Sequence, residues 1–150
     1  MDVTPHNQGR SPVKLEGHCL CGNVQYAADT EVQFTAVCHC TDCQRQTGAA
    51  VSLVIGIDDD ALTIEGDSLK TFITRGEDHK SNTNRSFCGN CGSPIISRID
   101  AMPGLVFVKA GTLNDTSWLQ PTSELWHRSA QPWVPHIPGA EIFERGIPVD

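Results

Sequence analysis

Seven cysteines stand in three tight groups along a chain of 150 residues: Cys19-Leu-Cys21, Cys38-His-Cys40-Thr-Asp-Cys43 and Cys88-Gly-Asn-Cys91-Gly92. Buried thiols used only for packing have no reason to recur at two- and three-residue spacing, whereas thiolates that share an ion do. A disulfide scaffold fits poorly: an i, i+2 pair does not readily close on itself, seven is odd, and a chain this long builds a core without staples. Metal ligation remains. Zinc takes four ligands in a tetrahedron; a structural site fills all four from protein, while a catalytic site keeps three and leaves one open. Seven thiols therefore divide as four plus three.

Cys88-Gly-Asn-Cys91-Gly92 has the form of a zinc knuckle, which supplies two ligands and needs two more. Cys19 and Cys21 supply them if their segment is extended, because residues i and i+2 of a strand share a face. Such a site clips the start of the domain to its middle and closes a long loop. Cys38, Cys40 and Cys43 are left as a second group, aimed at one ion by a strand end and a tight turn. The fourth position there falls to water, His39 or a substrate, and alternation points His39 away from its two neighbours. The other partition, Cys19 and Cys21 with Cys40 and Cys43, orphans Cys38 and leaves Cys88 and Cys91 short of partners; spacing alone leaves it open. A four-cysteine iron–sulfur cluster does not account for three thiols in one group. Redox use of Cys88 and Cys91 expects a helix, and Gly92-Ser93-Pro94-Ile95-Ile96 follows instead.

The elements that position these groups read as strands. Val24–Ala27, Gln33–Cys38, Ala50–Ile57, Leu62–Glu65, Leu69–Thr74 and Leu105–Lys109 carry branched and aromatic residues at strand density, punctuated by Gly22-Asn23, Gly66-Asp67 and Gly76-Glu77. Asp58-Asp59-Asp60 lacks the spacing of a calcium loop and reads as a solvated turn. Single helical turns are expected near Cys40–Gln46 and Asp115–Leu119. This pattern predicts an all-β, antiparallel domain over 15–150, preceded by a flexible N-terminal arm over 1–14. The proline-rich tail from Gln120 is expected to wrap the sheet irregularly, burying Trp126 and Trp133, with Trp118, His127 and His136 as packing or lid residues.

Eighteen acidic against eleven basic residues leave a formal charge of -7 at pH 7, with no basic stripe, which argues against a nucleic-acid partner. No apolar run approaches a membrane span. Met1–Pro12 lacks the basic start and apolar core of a secretory signal, so a reducing cytoplasm is expected, the compartment in which clustered thiols bind metal.

Gly17-His-Cys19-Leu-Cys21-Gly22, the Cys38–Cys43 group with Gly48 after it, and Phe87-Cys88-Gly-Asn-Cys91-Gly92-Ser93 together resemble the glutathione-dependent formaldehyde-activating enzyme family, also called the GFA or centromere-protein-V-like family. Order, spacing and flanking glycines agree from Leu15 to Ile96. The resemblance implies an Mss4-like β-tent, in which small antiparallel sheets are organised around zinc. It also implies two Zn²⁺ per chain: a structural zinc on Cys19, Cys21, Cys88 and Cys91, and a catalytic one on Cys38, Cys40 and Cys43. The implied reaction adds glutathione to formaldehyde or another aldehyde and reverses that addition as a carbon–sulfur lyase, with small-molecule thiol and carbonyl partners. Thr47 and Gly48 are candidate substrate contacts or simply a turn exit. Arg75, His79, Lys80 and Arg85 either hold carboxylates of a glutathione-like substrate or form a solvated basic loop. The competing function is a non-catalytic, zinc-stabilised interaction module, since fold does not dictate function.

Overall fold

Strands with one apolar face must bury it, and this chain does so by stacking one sheet on another. The computed structural model describes residues 12–76 and 80–146. β1 (Val13–His18), β2 (Gln25–Thr30) and β5 (Leu62–Glu65) form a three-stranded antiparallel sheet in the order β1-β2-β5. The larger sheet comprises β3 (Phe34–Cys38), β4 (Ser52–Asp58), β6 (Leu69–Arg75), β7 (Asn82–Cys88), β8 (Pro94–Ile99), β9 (Leu105–Lys109), β10 (Ser123–Leu125) and β11 (Glu141–Ile142). Its order is β11-β10-β3-β4-β9-β8-β7-β6. A short α-helix, α1 (Thr41–Thr47), follows β3.

Leu15, Tyr26 and Ala28 of the small sheet meet Ile55, Ile57, Ile96, Val106 and Val108 of the large one in the main core. Each large aliphatic buried there contributes about 1.5–3 kcal/mol. Because strand side chains alternate, the opposite face of the large sheet carries a different set, and Ala36, Val54 and Phe107 form a second cluster on it. That second face is the floor of the cavity described below.

The expected all-β architecture is found, and β2, β3, β4, β5, β6 and β9 coincide with the runs read from the sequence to within a few residues. β7 was missed because Asn-Thr-Asn-Arg-Ser-Phe-Cys shows no clean apolar alternation; its place is secured by pairing with β6 on one side and β8 on the other. The tail departs from the antiparallel expectation. β10 runs parallel to β3, and β11 parallel to β10; β9 already runs the same way as β3, so the chain crosses back over the sheet before it enters β10 in that direction. β1 takes up Val13 and Lys14, the end of the expected arm, and pairs them with Thr30 and Asp29; residues 1–11 of that arm lie outside the described residues. Asp115–Leu119 is a turn rather than a helix, tightened by the Asp115 carboxylate accepting from the Ser117 N–H at 2.9 Å. Asp59 is not merely solvated: its carboxylate takes both Nε and Nη2 of Arg98, at 2.8 and 2.9 Å. Trp118 packs on the main core, but Trp133 is 72% exposed, so the tail does not bury all its aromatics. Among the described residues, no helix is long and apolar enough to cross a membrane.

Tyr26 reports on this packing. It is the chain's single tyrosine and is 4% exposed, its hydroxyl bonded to Thr112 Oγ1 at 2.7 Å. Burial lifts its pKa from 10.0 to about 12, outweighing the Thr112 bond. A folded pKa above the unfolded one means that the associated stability is intact below pH 10 and is lost as pH rises toward 12. Tyrosinate absorbance should therefore stay silent through pH 10 in the native protein and rise in that range only when denaturant is present.

Candidate active site and metal centres

Two hairpin turns build the first cysteine group. Cys19 and Cys21 lie in the β1–β2 connection, where the Gly22 N–H donates to the Cys19 carbonyl at 3.0 Å. Cys88 ends β7 and Cys91 lies in the β7–β8 connection, where the Gly92 N–H donates to the Cys88 carbonyl at 2.8 Å. Both turns leave through a glycine in the left-handed region, Gly22 at φ +81° and Gly92 at φ +82°, a conformation that costs other residues a clash at Cβ. Extended backbone was the condition on which Cys19 and Cys21 would share a face; a tight turn aims them together instead. The two turns lock together through the Leu20 N–H, which donates to Ser93 Oγ at 3.0 Å.

The four sulfurs lie within 4.8 Å of one another, with Cys19–Cys21 at 3.6 Å and Cys21–Cys88 at 3.7 Å. A tetrahedral ion with bonds of about 2.3 Å would space its sulfurs about 3.8 Å apart, so this group could hold zinc without rearrangement. The surroundings favour thiolates at Cys88 and Cys91, whereas at Cys21 a backbone hydrogen bond at Asn23 is outweighed by the neighbouring sulfurs and burial, which push that thiol up to about 11. The Val24 N–H donates to Cys19 Sγ at 3.2 Å. The Ser68 hydroxyl at 3.2 Å lowers the Cys88 thiol below its ordinary value. The Ser93 hydroxyl at 3.3 Å, helped by the Ser93 N–H, brings Cys91 down to about 5. Asn23 in turn accepts from Ser68, tying the two hairpins' outer contacts together.

Cys38, Cys40 and Cys43 converge separately, again within 4.8 Å. Cys38 ends β3, Cys40 caps α1, and Cys43 sits in its first turn. The Cys43 N–H donates to Cys40 Sγ at 3.3 Å, so one thiol is both helix cap and member of the trio. The three sulfurs titrate as a unit. Hydrogen bonds from Cys38 and Cys40, aided by the charges of Lys109 and Arg85, drive Cys43 far below an ordinary thiol against the opposing effect of burial. Cys38 is correspondingly pushed up. The fourth side faces a cavity of about 1090 Å³.

Arg85 and Lys109 are the electrostatic counterpart of the trio. Arg85 is 7% exposed; its Nη1 lies 3.7 Å from Cys43 Sγ and donates to Gln46 Oε1 at 3.1 Å, while Nε donates to Thr74 Oγ1 at 3.0 Å. Burial disfavours its charge, but the Cys43, Cys40 and Asp42 charges more than restore it and hold its pKa above the ordinary value. Lys109 is 6% exposed and donates to Ser52 Oγ at 2.9 Å; burial lowers its ammonium despite the nearby sulfurs. Removing one partner of a buried charge pair costs about 3–5 kcal/mol. Urea unfolding of Arg85→Met should show a loss of about that size, with Arg85→Lys recovering part of it.

The other candidates separate. Arg75 is exposed and lines the cavity with Arg145 and Trp126 of the tail, so the tail does form one wall of the site. Lys80 is exposed, and His79 lies outside the described residues. Thr47 and Gly48 do not line the cavity. Thr47 Oγ1 donates to the Cys43 carbonyl at 2.8 Å and Gly48, at φ 66°, closes the helix; both finish α1 rather than meet a ligand. His39 is turned to the opposite face of β3, 1% exposed, with Nε2 2.9 Å from Glu124 Oε1. Three hydrogen bonds, from His39, the Ile137 N–H and His136, hold Glu124 below the usual carboxylate value although burial alone would raise it. Lys109 escaped the sequence reading because a lysine at a strand end looks like a polar terminus. Ser97 Oγ, buried on the cavity wall without a hydrogen-bond partner, left no signal at all.

A family model described as glutathione-dependent formaldehyde-activating enzyme matches residues 14–129. Among curated proteins, one from Penicillium rubens is 25% identical over 79% of this chain and 62% of its own length. Another, from Phaeosphaeria nodorum, is 27% identical over 72% and 57%. Both are provisionally named glutathione-dependent formaldehyde-activating enzymes. The chain thus spans about three fifths of the length of these relatives. A crystal structure of a Rhodobacter sphaeroides protein shares the fold, with a TM-score of 0.52 at 20% identity over 66% of this chain and 87% of that one.

Proposed function

The chain belongs to the glutathione-dependent formaldehyde-activating enzyme family, and on that footing we propose that it is a zinc-dependent carbon–sulfur lyase that joins and separates a thiol and a carbonyl compound. One observation carries this reading: three convergent cysteines face a large cavity, while four others form a closed group elsewhere. Cys19, Cys21, Cys88 and Cys91 would hold a structural zinc, and Cys38, Cys40 and Cys43 a second. Bound there, zinc would supply a Lewis acid with room for one substrate sulfur or oxygen.

The remaining tasks fall to the chain's own groups. Addition forms a bond from the thiol sulfur to the carbonyl carbon, and the proton of the S–H ends on the carbonyl oxygen; reversal breaks the same bond. Three thiolates repel an incoming fourth. Arg85 and Lys109 offset that repulsion from two sides, at positions set by Gln46, Thr74 and Ser52. Arg75 and Arg145 add positive charge to the cavity wall, suited to the carboxylates of glutathione. The sheet floor and the tail wall hold thiol and carbonyl together in one enclosure, which is worth more here than acid–base assistance. The seven thiols suit a reducing, cytoplasmic setting, and residues 15–150 act as one zinc domain in this reading.

The test is to incubate zinc-loaded protein with glutathione and a panel of aldehydes and to follow adduct exchange by NMR. Acceleration for at least one aldehyde supports the reading. No acceleration for any, with one tightly held zinc, favours the interaction module.

A further inference from the structure

On the central strands the floor of the cavity is polar at one end and apolar at the other, and the register of the sheet makes it so; Gln33, Thr83 and Arg75 line the rim beyond the apolar end. Along β3 the cavity-facing residues run Phe34, Ala36, Cys38; along β9 they run Leu105, Phe107, Lys109. β4 pairs antiparallel with both, so β3 and β9 point the same way. Each therefore passes from an apolar residue at its start to a reactive or charged one at its end. The antiparallel neighbours reverse the order and agree: β4 runs Ser52, Val54, Gly56 and β8 runs Ser97, Ile99. At about 3.4 Å per residue, Phe34 stands about 14 Å from Cys38 along the floor.

That far end is a formed compartment. Phe34 and Phe107 meet edge to face at 6.0 Å, and Gly56 leaves them the space, since a Cβ there would come within 2.9 Å of the Phe34 ring. Ile99, Met102 and Leu105 are only partly buried, with apolar surface turned to the cavity. A volume of about 1090 Å³ stands at the top of the roughly 300–1,000 Å³ that encloses a drug-sized ligand. A one-carbon carbonyl at Cys38 would leave this compartment wet and its apolar walls unused.

We propose that the carbonyl half of the substrate is a bulky apolar aldehyde, alkyl or aryl, lying along Phe34, Ile99, Met102, Leu105 and Phe107 while the anionic thiol half stays at the end marked by Cys38, Arg85 and Lys109. This rests on the carbon–sulfur lyase reading and narrows its substrate class. Ser97, level with Phe107 in the register and with its hydroxyl unpaired, meets the ligand at the boundary between the halves.

The experiment uses the zinc-loaded full chain and two unreactive thioethers, S-methylglutathione and S-hexylglutathione, titrated by calorimetry. They share every charged group, so their difference reads the apolar compartment alone. S-Hexylglutathione should bind at least about tenfold more tightly, given the apolar area it removes from water. Met102→Trp, a substitution in the β8–β9 turn that fills the compartment, should cut that advantage to about twofold and leave S-methylglutathione unchanged. Should that variant not fold, Leu105→Gln serves the same comparison. Equal affinities in the unaltered protein overturn this inference and leave the lyase reading standing. If neither thioether binds, the glutathione-type lyase reading fails, and this inference with it. In turnover, a hexanal-sized aldehyde should exceed formaldehyde in kcat/KM; the reverse order overturns the inference.

Discussion

Cys40→Ser is expected to abolish thiol–carbonyl exchange while leaving the fold intact. Cys40 has two separable roles. Its sulfur belongs to the trio, and it also accepts the Cys43 N–H as the cap of α1. Serine is among the best helix caps, so the hydroxyl keeps the second role and loses the first. Even groups that merely orient metal ligands cost about 10–100-fold when removed, so loss of a ligand should lower activity by more than about a hundredfold. Metal content should fall from two ions per chain toward one, with circular dichroism and the unfolding midpoint nearly unchanged. A variant as poorly folded as the one considered next would sink the division between an open and a closed site.

Cys88→Ser is expected to unfold the protein. Cys88 is fully buried at the end of β7, paired with Leu69 of β6, and its group joins the β1–β2 hairpin to the β7–β8 hairpin. Structural zinc sites in small peptides are worth about 10–16 kcal/mol at neutral pH, and a typical domain is stable by only about 5–15 kcal/mol. Serine fills the volume but does not replace a soft thiolate on zinc, and it leaves three sulfurs packed together without their ion. Loss of cooperative unfolding and aggregation should follow, and a strong chelator should reproduce the effect in the unaltered chain after first stripping the trio. Native spectra with one ion still bound would place the essential ion elsewhere.

These outcomes hinge on a division that local spacing made visible. Metal ligands that come from one short segment must be close in sequence, so the Cys38–Cys43 trio and the Cys88–Cys91 knuckle could be read directly. Period-two alternation did the same for β3, β4 and β9, whose apolar faces are long enough to show it. Where alternation is broken, as in β7, or where three residues suffice for pairing, as in β10, the chain carries no local mark of the strand.

The sequence by itself determined the all-β class and the grouping of thiols into pairs and a trio able to hold metal, because each depends on residues a few positions apart. Only the tertiary structure decided which pairs converge. It also set Lys109 and Arg85 against Cys43 and lined up the apolar starts of β3 and β9 into one compartment. Those are consequences of strand register across a sheet that joins residues far apart in the chain, and register is a property of partners rather than of any one segment.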